Sequence, residues 1–215
     1  MTRHRILAVV ASAALASVAG LATATSASAH PGGHHSKPLG TTSLAKVLAA
    51  DGSGFDRNPW DYDIVDNAVG AVLKAKPKSP VKVLADGRVP LTAFLPNDRA
   101  FERLASDLTG KRYSSEKAVF DAVASLGIKT VETVLLYHVV PGATVDYRTA
   151  LRSDGAKLKT AQGGKLTVDV RHGHRVYLVD ADRDDRNARV VRPDINKGNR
   201  QIAHGISEVL RPVNL

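Results

Sequence analysis

The sequence predicts an α+β fold, and three observations carry that prediction. Apolar residues recur at helical spacing through the front half of the chain. They alternate at strand spacing through the back half, and the two patterns do not interleave as they would in an alternating α/β protein. No internal repeat is present, which gives one domain.

The elements follow in order. Leu44, Val47 and Leu48 stand after a Thr/Ser cap and predict a short helix ended by Gly52 and Gly54. The stretch FDRNPWDYD is a loop whose Phe55, Trp60 and Tyr62 are expected to pin it to the body. Ile64, Val65, Ala68, Val69, Val72 and Leu73 form the apolar face of a second helix, with Asp61 and Asp63 at its positive end and Lys76-Pro77 and Ser79-Pro80 as its stop. Val81–Leu84, a turn at Asp86-Gly87 and Val89–Leu95 predict a hairpin. Asn97 then caps a helix carrying Phe101, Leu104 and Leu108. Ser114-Ser115 caps another, closed by Gly127, and Thr130 opens a last one with Val131, Val134 and Leu135 inward. After Pro141-Gly142, strands are predicted over Leu166–Arg171, Val176–Val179, Arg189–Val191 and Ile202–Leu210, with turns at Gly163-Gly164 and His172-Gly173.

The composition of the 215-residue chain is that of a globular protein, with 43% hydrophobic residues. The absence of Cys removes disulfide scaffolds, thiolate metal sites and cysteine nucleophiles together. Lys and Arg number 30 against 21 Asp and Glu, a formal charge of +9, which favours anionic partners. Aromatics are only 5% and none interleave with Lys/Arg runs, so nucleic acid is not an expected partner.

Arg3 and Arg5, the uncharged stretch Ile6–Ala24 and Ala27-Ser28-Ala29 have the order of a secretory signal cleaved after Ala29. Residues 1–29 are therefore read as the signal peptide, and the product, starting at His30, is expected outside the cell without a membrane anchor. Loss of Arg3 and Arg5 lowers the formal charge from +9 to +7. Residues 30–42 form a His/Gly/Pro-rich leader expected to be flexible, and the folded domain is assigned to 43–215. His30, His34 and His35 lack a carboxylate or rigid element to fix metal geometry, so the leader is read as solvated.

Three segments together resemble the fasciclin (FAS1) domain family. TAFLPNDRAFERL (Thr92–Leu104) is similar to its first signature box, a strand running into an Asn-capped helix. LLYHVVPG (Leu135–Gly142) is similar to its central Tyr-His motif. NARVVRPDIN (Asn187–Asn196) followed by IAHGISEVLRP (Ile202–Pro212) is similar to its second box and the strand before it. The resemblance implies a compact β-wedge with helices packed around it, and Thr92, Phe94, Pro96, Asn97, Phe101 and His204 as motif residues that hold the structure. It implies a non-enzymatic protein of extracellular adhesion or matrix association, with no cofactor. In animal members the Tyr-His region and an Asp-Ile pair of the second box are linked to integrin binding. Carried over, this names Tyr137, His138 and Ile206 as binding residues, with Ser207 where the family has aspartate.

His138 and His204 are both expected to point inward as buried, hydrogen-bonded histidines. A hydrolase would use one of them as a base with Ser207 or Asp194 nearby, yet neither G-x-S-x-G nor H-E-x-x-H is present, and no catalytic residue is assigned. Asp180, Asp182, Asp184 and Asp185 resemble a calcium loop at first sight. Asp185 and Val191 stand where an EF-hand needs Gly and Glu, so a solvated hairpin tip is expected and no metal is assigned. The expected partner is a cell-surface or matrix component, an anionic polymer or a glycan, met through Lys74, Lys76, Lys78 and Lys82 or through Lys157, Lys159, Lys165, Arg171 and Arg175. The alternatives are a secreted small-molecule or glycan-binding protein and, less favoured, a hydrolase.

Overall fold

The computed structural model describes residues 37–50, 52 and 54–214. The signal peptide read at residues 1–29 and the leader's histidines lie outside them. Residues from Pro38 onward form one compact unit.

Five helices come mostly from the front half: α1 (Leu44–Ala49), α2 (Asp63–Ala75), α3 (Asp98–Thr109), α4 (Glu116–Ala124) and α5 (Ile128–Tyr137). Their starts follow local chemistry. Ser43, Asn97 and Ser115 each accept a backbone N–H three residues on, from Lys46, Ala100 and Ala118. Gly110 ends α3 in the left-handed region, where a side chain would be strained.

Seven strands form one sheet in the order β2-β1-β7-β6-β5-β4-β3. These are β1 (Leu91–Pro96), β2 (Val139–Pro141), β3 (Lys157–Lys159), β4 (Lys165–Arg171), β5 (Arg175–Val179), β6 (Ala188–Ile195) and β7 (Gln201–Ile206), with a one-turn helix α6 (Tyr147–Ala150) after β2. Among these seven strands β1 and β7 run parallel and the other neighbours are antiparallel. The two ends of the order approach each other, since Ala161 N–H donates to Val139 O at 2.7 Å. The sheet is thus nearly closed into a wedge.

β1 and β7 are buried along their whole length because both faces are covered. Leu91, Ala93, Leu95 and Ala203 pack with the helices, whereas Phe94 and Ile206 pack inside the wedge with Leu166, Val168, Val176 and Leu178. The period-2 alternation of a strand therefore splits one segment between two cores.

The hairpin expected at Val81–Leu95 is corrected. Only its second arm is a strand. Pro80–Ala85 is a 3₁₀ helix, started by Pro80 at its first position and by Ser79 Oγ, which accepts from Val81 N–H. Gly87 lies against the chain's first described segment, where a Cβ would stand 1.9 Å from Thr41 O. That segment is held further by Gly40 N–H to Gly198 O at 2.8 Å and by Thr42 N–H to Asn199 Oδ1 at 3.0 Å. Strand β7 ends at Ile206, short of the expected Leu210.

Candidate functional site

The motif residues sit where the two cores meet. Tyr137, the last residue of α5, is 1% exposed and donates its hydroxyl to Lys165 O at 2.9 Å. Gly164 lies flat against that ring, where a Cβ would come within 2.8 Å of Cε2. His138 Nδ1–H donates to Val134 O at 2.8 Å, and Nε2 accepts from Leu210 N–H at 2.9 Å. His204 Nε2–H donates to Val145 O at 2.9 Å, and Nδ1 accepts from Asp194 N–H at 3.2 Å. Each imidazole is therefore neutral and uses both nitrogens on backbone groups. Burial pushes the pKa of His138 down to about 4 and lowers that of His204 as well.

Thr92 Oγ1 donates to Ala143 O and accepts from Val145 N–H, which fixes the chain after β2. Phe94 stacks on His204 with centroids 6.0 Å apart. Pro96, Asn97 and Phe101 carry β1 into α3 and are buried. Ile206 is fully enclosed in the wedge core. Tyr137, His138 and Ile206 thus have their polar and apolar surface turned inward, and their contacts join α5, β4 and the C-terminal segment. Ser207 Oγ accepts from Arg189 N–H, and neither histidine has a nitrogen free to serve it as a base.

The acidic stretch after β5 is not simply solvated, which corrects the hairpin-tip reading. Asp182 is buried, and Arg211, 4% exposed, reaches into the turn. Its guanidinium meets Asp107 at 2.8 Å, Asp185 at 3.0 Å and Asp182 at 3.4 Å, while its backbone N–H donates to Asp180 at 2.7 Å. The counter-charge comes from the last segment of the chain, out of reach of a local sequence reading.

A second acidic group, unseen in the sequence, forms where α2, α3 and α4 begin. Asp98 accepts from Ile64 N–H at 2.9 Å and Asp63 N–H at 3.2 Å, and so caps α2 from the first turn of α3. Glu116 accepts from Asp56 N–H at 2.7 Å. Phe55 packs on Phe120 and Tyr62 is buried, as expected of the loop's aromatics, but Trp60 is 61% exposed and pins nothing. Burial, then a proton shared with Asp61, raises Asp98 well above the usual carboxylate range; burial likewise raises Glu116 to about 6.

The exposed face of β3–β6 is basic. Lys159 stands directly opposite Lys165, Arg171 opposite Arg175, and Tyr177 opposite Arg189. The Arg171 guanidinium lies 4.2 Å from the centre of the Tyr177 ring and pairs with Asp169. Among the described residues, Lys157, Lys159, Lys165, Arg175 and Arg189 have no ion pair. An open groove of about 470 Å³ continues the face between Arg103, Arg171, Tyr177, Arg186, Arg189 and Glu208, the last paired with Arg103. The other lysine group is less free, because Lys76 pairs with Glu132. Two apolar cavities, of about 20 Å³ beside His138 and about 70 Å³ beside His204, fall far below the several hundred Å³ of an ordinary ligand pocket. Among the described residues no helix is long and apolar enough to cross a membrane.

A nearly closed wedge braced by helices, with a Tyr-His junction buried between two cores, defines a FAS1-type fold. The family model of the Fasciclin domain matches residues 67–212, and the chain belongs to that family. Among solved structures it is similar to a FAS1 domain pair from the insect cell adhesion molecule fasciclin I. The TM-score is 0.53 at 18% sequence identity, covering 81% of this chain and 51% of the other. The chain therefore spans about half the length of that neighbour. No curated protein matches it significantly.

Proposed function

We propose that the chain is an extracellular, non-enzymatic binding protein that mediates adhesion, or association with a cell surface or matrix, by holding an anionic polymer or glycan on the outer face of β3–β6. Fasciclin domains are adhesion-type domains of extracellular proteins, and the insect neighbour is a cell adhesion molecule. The export signal read at residues 1–29 agrees with that setting.

One observation carries the partner class. Lys159 and Lys165 face each other across β3 and β4, with Lys157 beside them, and among the described residues none of the three is in an ion pair. Like charges directly opposite in a sheet are destabilising, and a polyanion laid across the face relieves that repulsion. The commitment of both motif imidazoles to backbone groups supports the non-enzymatic reading, and the apolar cavities beside those imidazoles are too small for an ordinary ligand.

The test is retention of the protein on anionic wall polymer and on cells as salt rises, since the Debye length falls from ~8 Å at 0.15 M to ~3 Å at 1 M. Lys157→Glu, Lys159→Glu and Lys165→Glu together should move elution to clearly lower salt. Changing Lys74, Lys78 and Lys82 in the same way should move it less. Salt-insensitive retention, or an equal effect of the two triple variants, rejects this face as the site. Mass spectrometry of the secreted product should place its N-terminus at His30.

A further inference from the structure

The acidic group at the starts of α2, α3 and α4 has more charge than its hydrogen bonds explain. Ligand oxygens of Asp61, Asp98 and Glu116 all lie within 4.8 Å of one another, and Asp61 also forms such a group with Asp56 and Asp63. Two oxygens on opposite sides of one calcium ion, each at 2.3–2.6 Å, are separated by about 5 Å, so the spacing fits ligands of a single ion.

The plain alternative is that the acids cap helices. It accounts for Asp98, which accepts from the first N–H groups of α2, and for Glu116, which accepts from Asp56 N–H. Each carboxylate keeps further lone pairs after those bonds. The alternative does not account for Asp61. That residue is 9% exposed and shares a proton with Asp98 through its carboxyl group, yet its Oδ1 is buried without a hydrogen-bond partner. Among the described residues no Lys or Arg pairs with Asp61, Asp98 or Glu116. A buried carboxylate oxygen with neither donor nor counter-ion is costly. A cation removes that cost.

We propose that Asp61, Asp98 and Glu116 bind a calcium ion that ties the loop before α2 to the starts of α3 and α4. The donor set is carboxylate oxygen alone, without His or Cys, which selects a hard cation over zinc or copper. Asp61 is positioned for this by its backbone, whose carbonyl accepts from Asp98 N–H at 3.2 Å. Half-saturation in the ~10⁻⁴–10⁻³ M range of extracellular calcium modules is expected.

Trp60, the only tryptophan of the chain, adjoins Asp61 and supplies the probe. Terbium, added to the purified, chelator-treated chain as a calcium surrogate, should give saturable emission excited through Trp60, and calcium should displace it. Calcium should also raise the melting temperature. Asp61→Asn, with its fold checked by circular dichroism, should weaken both responses at least about tenfold, and Glu116→Gln should weaken them as well. Absence of a saturable response in the unaltered chain overturns the proposal. So does a response unchanged in Asp61→Asn, which would put the ion elsewhere, or an equal response to magnesium.

Discussion

The two acidic groups of this molecule are built from the same side chains and solved in opposite ways. Around Asp180–Asp185 the carboxylates close on Arg211, so the buried charge of Asp182 meets a guanidinium supplied by the chain itself. Around Asp61 three carboxylates converge on helix starts, and the described residues supply backbone N–H groups but no paired Lys or Arg. The helix ends offset part of that charge, each acting as roughly half a positive charge. Sequence charge counting sees the first as a run of Asp and the second not at all; only the folded arrangement shows which one meets a counter-charge from within.

Removing Arg211 is the hardest test of this difference. Arg211→Met keeps the apolar stem but leaves Asp182 buried beside Asp180 and Asp185 without its counter-charge. Breaking a buried pair from one side costs about 3–5 kcal/mol, and urea unfolding should show a loss of that order. A loss under about 1 kcal/mol would mean that the loop relaxes to solvent and that Arg211 is not what neutralises it.

A buried group with only neutral partners sharpens the comparison further. His138 has a folded pKa of about 4 against about 6.5 when unfolded. Between those values the unfolded chain binds the extra proton. The stability His138 contributes is therefore present above pH 6.5 and lost as pH falls toward 4. The loss should be on the order of 2–3 kcal/mol. Asp98 and Glu116 run the other way, since their raised values favour the folded state as protons are added. The measurement is thus a difference: unfolding free energy of the unaltered chain minus that of His138→Gln, from pH 7 to 4. The difference should shrink as pH falls. A flat difference would mean that the imidazole does not stay neutral in the fold.

What could be read in advance was local. Asn97 follows a strand and precedes Ala100 and Phe101 at cap and core spacing, so strand, cap and helix appear together in a dozen residues. The alternation of Leu166, Val168 and Val170 predicts which side of β4 is buried, the inward direction of His204 follows from its parity with Ile202 and Ile206, and that of His138 from its place between a helix and an apolar run. Val81–Leu84 misled because a short apolar run suits a strand or a 3₁₀ turn equally, and Ser79-Pro80 decided it. Strands β2 and β3, three residues each, were too short to show a period. The acidic group at Asp61 draws on three segments separated by 37 and 18 positions, and Arg211 meets residues 26–31 and 104 positions before it, so no window in the sequence contains either site.

The smallest effect should separate the two groups by sign. Asn is nearly isosteric with Asp, so replacing one acid in each group changes charge with little change of shape. Asp182→Asn takes a charge away from Arg211 and should cost about 1–3 kcal/mol, because the guanidinium stays buried with a weaker partner. Asp61→Asn removes one of three converging carboxyl groups and adds an amide N–H₂ that can donate to Asp98 or Glu116. With a chelator present it should leave stability unchanged or raise it by up to about 1 kcal/mol, as relief of like-charge crowding does. Both variants are compared by urea unfolding in the same buffer. Equal losses in the two would show that the Asp61 group is already balanced inside the protein, and the contrast between the clusters would disappear. A loss at Asp182 beside a neutral or positive change at Asp61 would show that one group holds its counter-charge within the fold and that the other carries charge its own chain does not answer.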